Sequence, residues 1–81
     1  MTVTIKFFAY LEEKLGFDQD TMKLTGVETI RELKEEITRK YPAVAADVPQ
    51  CQIAVDMTFK QDADPLHAER EIAVIPPVSG G

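Results

Sequence analysis

The sequence lacks most of the residues from which metal centres, disulfides and membrane spans are built. Its 81 residues include no tryptophan, a single cysteine (Cys51) and a single histidine (His67). A lone cysteine forms no intramolecular disulfide, and one cysteine with one histidine does not complete a tetrahedral zinc site without carboxylate ligands. No apolar run approaches the roughly 20 residues that cross a bilayer as a helix, and no signal peptide opens the chain. These absences predict a cytoplasmic protein that binds no metal.

Positive charge is also scarce. Nine Lys and Arg residues stand against fourteen Asp and Glu residues, which gives a net charge of −5 at pH 7. Nucleic acids and anionic membrane surfaces are bound mainly through Lys and Arg, so neither is an expected partner. Because complementary charge speeds encounter, the composition favours a basic protein partner instead.

What the chain does contain is typical of one small globular domain. Hydrophobic residues make up 44% of it and charged residues 28%, with only four glycines and five prolines, which excludes a low-complexity or collagen-like chain. A chain of this length buries one modest core. It has no room for a deep active-site cleft of its own.

Alternation of apolar and polar residues predicts five strands. At the start of the chain Val3, Ile5 and Phe7 fall on one face, as in a half-buried strand. A helix of one or two turns follows, ending at Gly16. The remaining strands are predicted at 20–24, 51–55, 58–60 and 71–75, with a tight turn at Asp56-Met57.

The main helix is predicted over Ile30–Lys40. Thr29 followed by Glu32 is a capping box, in which each side chain satisfies an unpaired backbone N–H of the other residue. Ile30, Leu33 and Ile37 then lie on one stripe of the helix, and Pro42 ends it. The segment 42–50 is predicted to be a loop with a turn of helix around Ala45.

This order of elements predicts an α+β roll, a mixed five-stranded sheet packed on one main helix. The first and last strands are the most apolar, so we expect them to be parallel, adjacent and central. Residues 1–75 form the single domain in this interpretation, and residues 76–81 form a flexible C-terminal tail that ends in Gly-Gly.

The tail reads Pro76-Pro77-Val78-Ser79-Gly80-Gly81. Terminal segments are often rich in glycine and serine simply because they are unpacked. Here two prolines favour an extended exit from the last strand, and two glycines close the tail. A narrow tunnel admits Gly-Gly where any Cβ would clash, so a functional terminus is the competing hypothesis.

The tail PPVSGG, the opening IKFFAYLEEKLG and the segment IAVDMTFKQDADPLHAEREIAVIPPVSGG resemble the small subunits of molybdopterin synthase. These are ubiquitin-like sulfur carriers with the β-grasp fold. The resemblance implies that Gly81 is adenylated, is then converted to a thiocarboxylate, and donates its sulfur to cyclic pyranopterin monophosphate to form the molybdopterin dithiolene. Gly80 gives the tail access to the site where this happens.

The resemblance also implies the partners. An ATP-dependent adenylating enzyme activates Gly81, a sulfur donor protein supplies the sulfur, and the large subunit of the synthase holds the catalytic site. The small chain is then not catalytic alone and binds no cofactor, since the activating enzyme consumes the ATP. A heterotetramer of two small and two large subunits is implied as well.

A docking surface is predicted at the root of the tail. Phe8 and Ile75 point away from the expected core on strands that we expect to be neighbours. Scattered apolar surface residues are normal, but two on adjacent strands form a patch that a partner can cover. We expect this patch to bind the partner, together with the residues that follow it: Pro76, Pro77, Val78 and Ser79.

Other polar and sulfur-bearing residues are given structural roles. Cys51 alternates with core residues and is expected to pack there, as are Met22 and Met57. His67 has no acid–base partner at a suitable spacing and is assigned to a surface loop. The pair of carboxylates before Pro65, Asp62 and Asp64, is typical of a solvated turn rather than a metal site.

Two other classes of function stay open at this point. A carrier of the same fold for another product, such as the thiazole of thiamin, or a protein modifier, also ends in Gly-Gly. Alternatively, the chain is a non-catalytic β-grasp interaction module whose terminal glycines are incidental. A stand-alone enzyme is disfavoured because no nucleophile–base pair or ligand set is present.

Overall fold

The structure, a computed structural model, describes residues 1–67 and 71–77. Strand β1 spans Thr2–Phe7, and the short helix α1 spans Tyr10–Leu15. Strand β2 (Gln19–Lys23) and the main helix α2 (Ile30–Lys40) follow. The remaining strands are β3 (Gln52–Val55), β4 (Thr58–Lys60) and β5 (Glu71–Ile75).

The five strands form one mixed sheet in the order β2-β1-β5-β3-β4. Strands β1 and β5 are parallel, with Ile5 opposite Ile72 and Phe7 opposite Val74, while the other pairs are antiparallel. These four side chains are 2% exposed or less and form the centre of the core. The predicted α+β roll, with the first and last strands parallel and adjacent, is confirmed.

Helix α2 begins and ends where the sequence predicts. The backbone N–H of Glu32 donates to Thr29 Oγ1 at 3.3 Å, and the backbone N–H of Thr29 donates to Glu32 Oε1 at 3.1 Å, which completes the capping box. The apolar stripe of Ile30, Leu33 and Ile37 is fully buried against the sheet's core face. The helix therefore covers one face of the sheet only.

Replacing Leu33 by alanine is expected to lower the free energy of unfolding by about 2–5 kcal/mol, because the side chain is 0% exposed and its removal leaves a cavity. Chemical denaturation measures this loss. Glu35→Ala, on the exposed side of the same helix, is the matched control and should change stability by less than about 0.5 kcal/mol. A loss that small for Leu33→Ala would contradict the assigned core face.

The hairpin between β3 and β4 turns at Asp56-Met57, as predicted. Both residues have left-handed backbone angles, with φ of 46° and 71°, as a two-residue hairpin turn of mirror-image type requires. The expected packing role of Met57 is wrong, since this side chain is 92% exposed. Its place at the tip of the turn directs it into solvent, whereas Met22 on β2 is buried as expected.

The connection from α2 to β3 contains two short 3-10 turns, Pro42–Val44 and Val48–Gln50. The predicted turn of helix around Ala45 is therefore displaced to either side of that residue. Val44 and Val48 anchor the two turns, because both side chains are fully buried in the core. The segment 42–50 therefore packs against one end of the core and is not a free loop.

A hydrogen bond ties β2 to the end of α2. The hydroxyl of Tyr41 donates to Asp20 Oδ2 at 2.7 Å, and the backbone N–H of Thr21 donates to Asp20 Oδ1 at 2.8 Å. The Tyr41 hydroxyl, with the Thr21 N–H and the nearby Lys40 ammonium, lowers the pKa of Asp20 below its ordinary value. Burial is the larger cause that raises the pKa of the Tyr41 hydroxyl, and its hydrogen bond to Asp20 raises that pKa further.

Because the pKa of Asp20 is lowered in the folded chain, its ionised form stabilises the fold above the unfolded pKa of about 3.9. That contribution is lost as the pH falls through the lower folded value. Asp20→Asn is expected to destabilise the chain at pH 7 and to make little difference near pH 2. Urea titrations of both chains across this range measure the effect. An equal loss at both pH values would contradict the assignment.

Candidate functional site

The face of the sheet opposite α2 carries an apolar strip. On β5 the half-buried Ala73 and Ile75 alternate with the buried Ile72 and Val74, so they project from this second face. On the neighbouring strand Ala54 pairs with Ala73. The middle of the sheet is therefore flat and lined by small residues, with Ala73 half-buried and Ala54 only 7% exposed.

Phe8 extends this surface beyond the end of β1. Its backbone N–H donates to the carbonyl of Val74 at 3.3 Å, which continues the parallel pairing and places Phe8 beside Ile75. Its side chain is 44% exposed, whereas the preceding Phe7 is buried in the core. The structure therefore brings together the two residues from which the docking patch was predicted.

Phe59 completes the apolar strip, and the sequence reasoning missed it. Phe59 lies on the edge strand β4, pairs with Ala54 of β3, and is 63% exposed. The strand has only three residues, and Thr58 and Lys60 flank Phe59 without marking which face is buried. The signal that locates Phe59 is the register of the hairpin. A two-residue turn at Asp56-Met57 pairs Val55 with Thr58 and therefore Ala54 with Phe59. The apolar strip is defined hereafter as Phe8, Ala54, Phe59, Ala73 and Ile75.

The root of the tail lies beside the middle of this strip, directly after Ile75. Pro76, directly after β5, is buried within the chain, and Pro77 is exposed. Pro76 is therefore packed with the domain, and only Pro77 of the two prolines is exposed to a partner. Val78, Ser79, Gly80 and Gly81, which carry the predicted chemistry and part of the predicted partner contact, lie outside the described residues.

The other residues singled out in the sequence lie where a structural role is expected. The Cys51 thiol is buried and donates to the carbonyl of Asp47 at 3.3 Å, and burial raises its pKa, so it is not a ready nucleophile. His67 is exposed, and Asp62 pairs with Lys34 at 2.8 Å. Within residues 1–67 and 71–77 no three His, Cys, Asp or Glu side chains are grouped to hold a metal ion.

No helix in the described part of the chain is both long enough and apolar enough to cross a membrane. The exposed aromatic residues of the strip, Phe8 and Phe59, lie on a sheet face, and the strip is bordered by charged side chains such as Lys6 and Glu71, which pair at 3.4 Å. An apolar strip with a charged border, beside the root of a tail, has the form of a protein-docking surface.

Comparison with known proteins places the chain in a family. The sequence model of the ThiS family matches residues 5–81, nearly the whole chain. The chain belongs to the ThiS family. Among its relatives, the molybdopterin synthase sulfur carrier subunit of Caenorhabditis briggsae is 34% identical, with 100% of this chain and 99% of the relative covered. The protein of the same name from Chlamydomonas reinhardtii is 29% identical, with both chains covered completely.

Solved structures confirm the ubiquitin-like β-grasp fold expected of a ThiS family member. SAMP1 from Haloferax volcanii superposes with a TM-score of 0.82 at 22% identity, with both chains fully covered. A subunit of the complex of subunits 1 and 2 of molybdopterin-converting factor from Helicobacter pylori superposes with a TM-score of 0.66 at 23% identity, again over both full chains. The family match and these superpositions rest on the whole domain and not on the tail alone.

Proposed function

We propose that this ThiS family chain is the sulfur-carrier subunit of a molybdopterin synthase and acts in the cytoplasm. The observation that carries the proposal is the full-length similarity to relatives that bear that name, at up to 34% identity. The apolar strip beside the tail root supports it, because a carrier needs a docking surface next to its reactive end. The Helicobacter pylori complex shows a protein of the same fold joined to a second subunit.

In the proposed reaction the terminal carboxylate of Gly81 is the reactive group. A carboxylate is a poor electrophile, since an attacking nucleophile must add charge to an anion. Adenylation by an ATP-consuming partner removes that charge and creates a good leaving group. A sulfur donor protein then supplies sulfur at the sulfide level, which attacks the acyl carbon. The bond between that carbon and the adenylate oxygen breaks, AMP leaves, and the chain ends in a thiocarboxylate.

The large subunit supplies the catalytic site for the second half of the reaction. The thiocarboxylate sulfur is anionic and nucleophilic near neutral pH and is transferred to cyclic pyranopterin monophosphate to build the dithiolene of molybdopterin. Gly80 and Gly81 carry no side chain, which lets the tail pass close to the partner's backbone. The β-grasp domain itself needs no catalytic side chain; it binds the partner and positions the tail.

The apolar strip has the matching role of holding the two subunits together. Phe8, Phe59 and Ile75 offer aromatic and branched side chains of the kind that dominate interface energetics. Buried Pro76 fixes where the tail leaves the domain, so docking at the strip sets the starting point of the tail. Two small and two large subunits form the proposed assembly.

Intact-mass analysis tests the first half of the proposal. The chain is incubated with the activating enzyme, ATP and a sulfide source, and its mass is expected to rise by the difference between sulfur and oxygen. Fragmentation in the mass spectrometer is expected to locate this change at Gly81. The chain without ATP is the control. An unchanged mass under conditions that load a known carrier would contradict the proposal and favour an interaction module. A loaded chain that the synthase large subunit does not bind would point to a carrier of another pathway.

A further inference from the structure

Two cavities flank the root of the tail at one end of the sheet. On the β1 side a recess of about 240 Å³, called the acidic recess, is lined by Lys6, Phe7, Phe8, Glu12, Asp18 and Gln19. On the β3 side a cavity of about 380 Å³, called the lysine cavity, is lined by Lys34, Cys51, Gln52, Phe59, Lys60, Gln61 and Asp62. Gln52 of the lysine cavity pairs with Ile75, and Phe7 of the acidic recess pairs with Val74, so both cavities lie at the end of the sheet where β5 passes into the tail.

Each cavity adjoins the apolar strip. Phe8 is a wall of the acidic recess, and Phe59 is a wall of the lysine cavity. Strands β1 and β4 are separated by three strand spacings in the sheet, about 14 Å in the hydrogen-bonding direction. A partner that covers the strip therefore reaches both cavities, one on each side of the point where β5 ends.

The acidic recess has an excess of negative charge. Its lysine, Lys6, is neutralised by Glu71 at 3.4 Å. Glu12 and Asp18 have no cationic partner among residues 1–67 and 71–77. Beside them stands the ring of Phe8, whose face attracts cations.

The lysine cavity has the opposite excess. Lys34, whose side chain is 12% exposed, is paired with Asp62 at 2.8 Å, so these two charges offset each other. Lys60 has no carboxylate partner within the described part of the chain. The amides of Gln52 and Gln61 add neutral hydrogen-bonding groups on the same cavity wall.

We propose that these two cavities recognise opposite charges on the partner, a basic side chain in the acidic recess and a carboxylate in the lysine cavity. This inference rests on the proposed function, which makes the large subunit the partner. The middle of the apolar strip, where Ala54 and Ala73 lie, has only small side chains. The strip alone therefore does not define the orientation in which the partner binds. The two charged flanks define it, because a partner turned by half a circle would meet like charges at both ends. One orientation of the tail into the partner follows.

Charge reversal in each cavity tests the proposal. Glu12→Lys and Lys60→Glu are each expected to weaken binding to the large subunit about tenfold at low salt, mainly through slower association, with the loss shrinking at high salt. Surface plasmon resonance at two salt concentrations measures this. The matched controls Glu13→Lys, on the same turn of α1, and Lys23→Glu, on the far strand β2, make the same charge changes outside the cavities and should stay within about threefold of the unaltered chain.

The outcomes separate this inference from the proposed function. Binding by the unaltered chain, with equal losses for test and control variants, would overturn the charged flanks and leave the carrier assignment standing. No binding by the unaltered chain would overturn both. Lys60→Arg keeps the charge and is expected to bind normally; a loss equal to that of Lys60→Glu would show that packing and not charge matters there. Thermal unfolding of each variant confirms that the domain is intact.

Discussion

Deletion of Gly81 is expected to abolish sulfur transfer while leaving the fold unchanged. The shortened chain ends at Gly80, so its carboxylate stops about 3.5 Å short of the reacting centre. A displacement of about 1 Å costs roughly a hundredfold in a positioned reaction, so no measurable turnover is expected. The assay is molybdopterin formation by the reconstituted synthase, with activating enzyme, ATP and sulfide present.

A second tail variant separates length from access. Gly80→Val keeps the length but adds a branched side chain, and it is expected to lose nearly all transfer because its Cβ substituents do not fit a passage shaped for glycine. Both positions follow the last strand and carry no side chain, so we expect the melting temperature to equal that of the unaltered chain. Full activity without Gly81 would defeat the carrier function and leave a β-grasp interaction module.

Ile75→Asp is expected to weaken the complex with the large subunit by about 2 kcal/mol, roughly a 30-fold rise in Kd. Ile75 is half-buried in the free chain and lies between Phe8 and the β3 side of the apolar strip, so a partner seated there would have to bury the new carboxylate. Phe59→Asp is expected to act in the same direction, from the exposed end of the strip. Isothermal titration calorimetry gives both affinities.

Met57→Asp is the matched control for both variants. Met57 is an exposed apolar residue at the hairpin turn, at the opposite end of the sheet from the tail root, and it does not belong to the apolar strip. Its replacement should leave the affinity within about threefold. Equal affinities for Ile75→Asp, Phe59→Asp and the unaltered chain would remove the strip from the interface.

The architecture could be predicted because its signals are local. The capping box at Thr29 and Glu32 determines where α2 begins, and the alternation of Val3, Ile5 and Phe7 determines which face of β1 is buried. Both signals depend on residues that lie only a few positions apart in the sequence. Relative apolarity then placed β1 and β5 at the centre of the sheet, since the most apolar strands gain most from burial on both sides.

The features that could not be predicted depend on register and on distant packing. Phe59 belongs to the apolar strip only because the turn at Asp56-Met57 aligns it with Ala54, and a three-residue edge strand has no clear period. Met57 resembles a core residue in sequence, yet its positive φ at the turn places it in solvent. Pro76 looked like the first residue of a free tail, and only the folded chain shows it buried.

Single-turnover sulfur transfer tests the central claim most directly. The chain is loaded as its thiocarboxylate, freed of activating enzyme and ATP, and mixed with the large subunit and cyclic pyranopterin monophosphate. The account predicts that the intact mass of the chain returns to that of the carboxylate as the dithiolene product appears, with one sulfur lost for each chain consumed. A chain that stays thiocarboxylated beside an active large subunit, with no product formed, would contradict it.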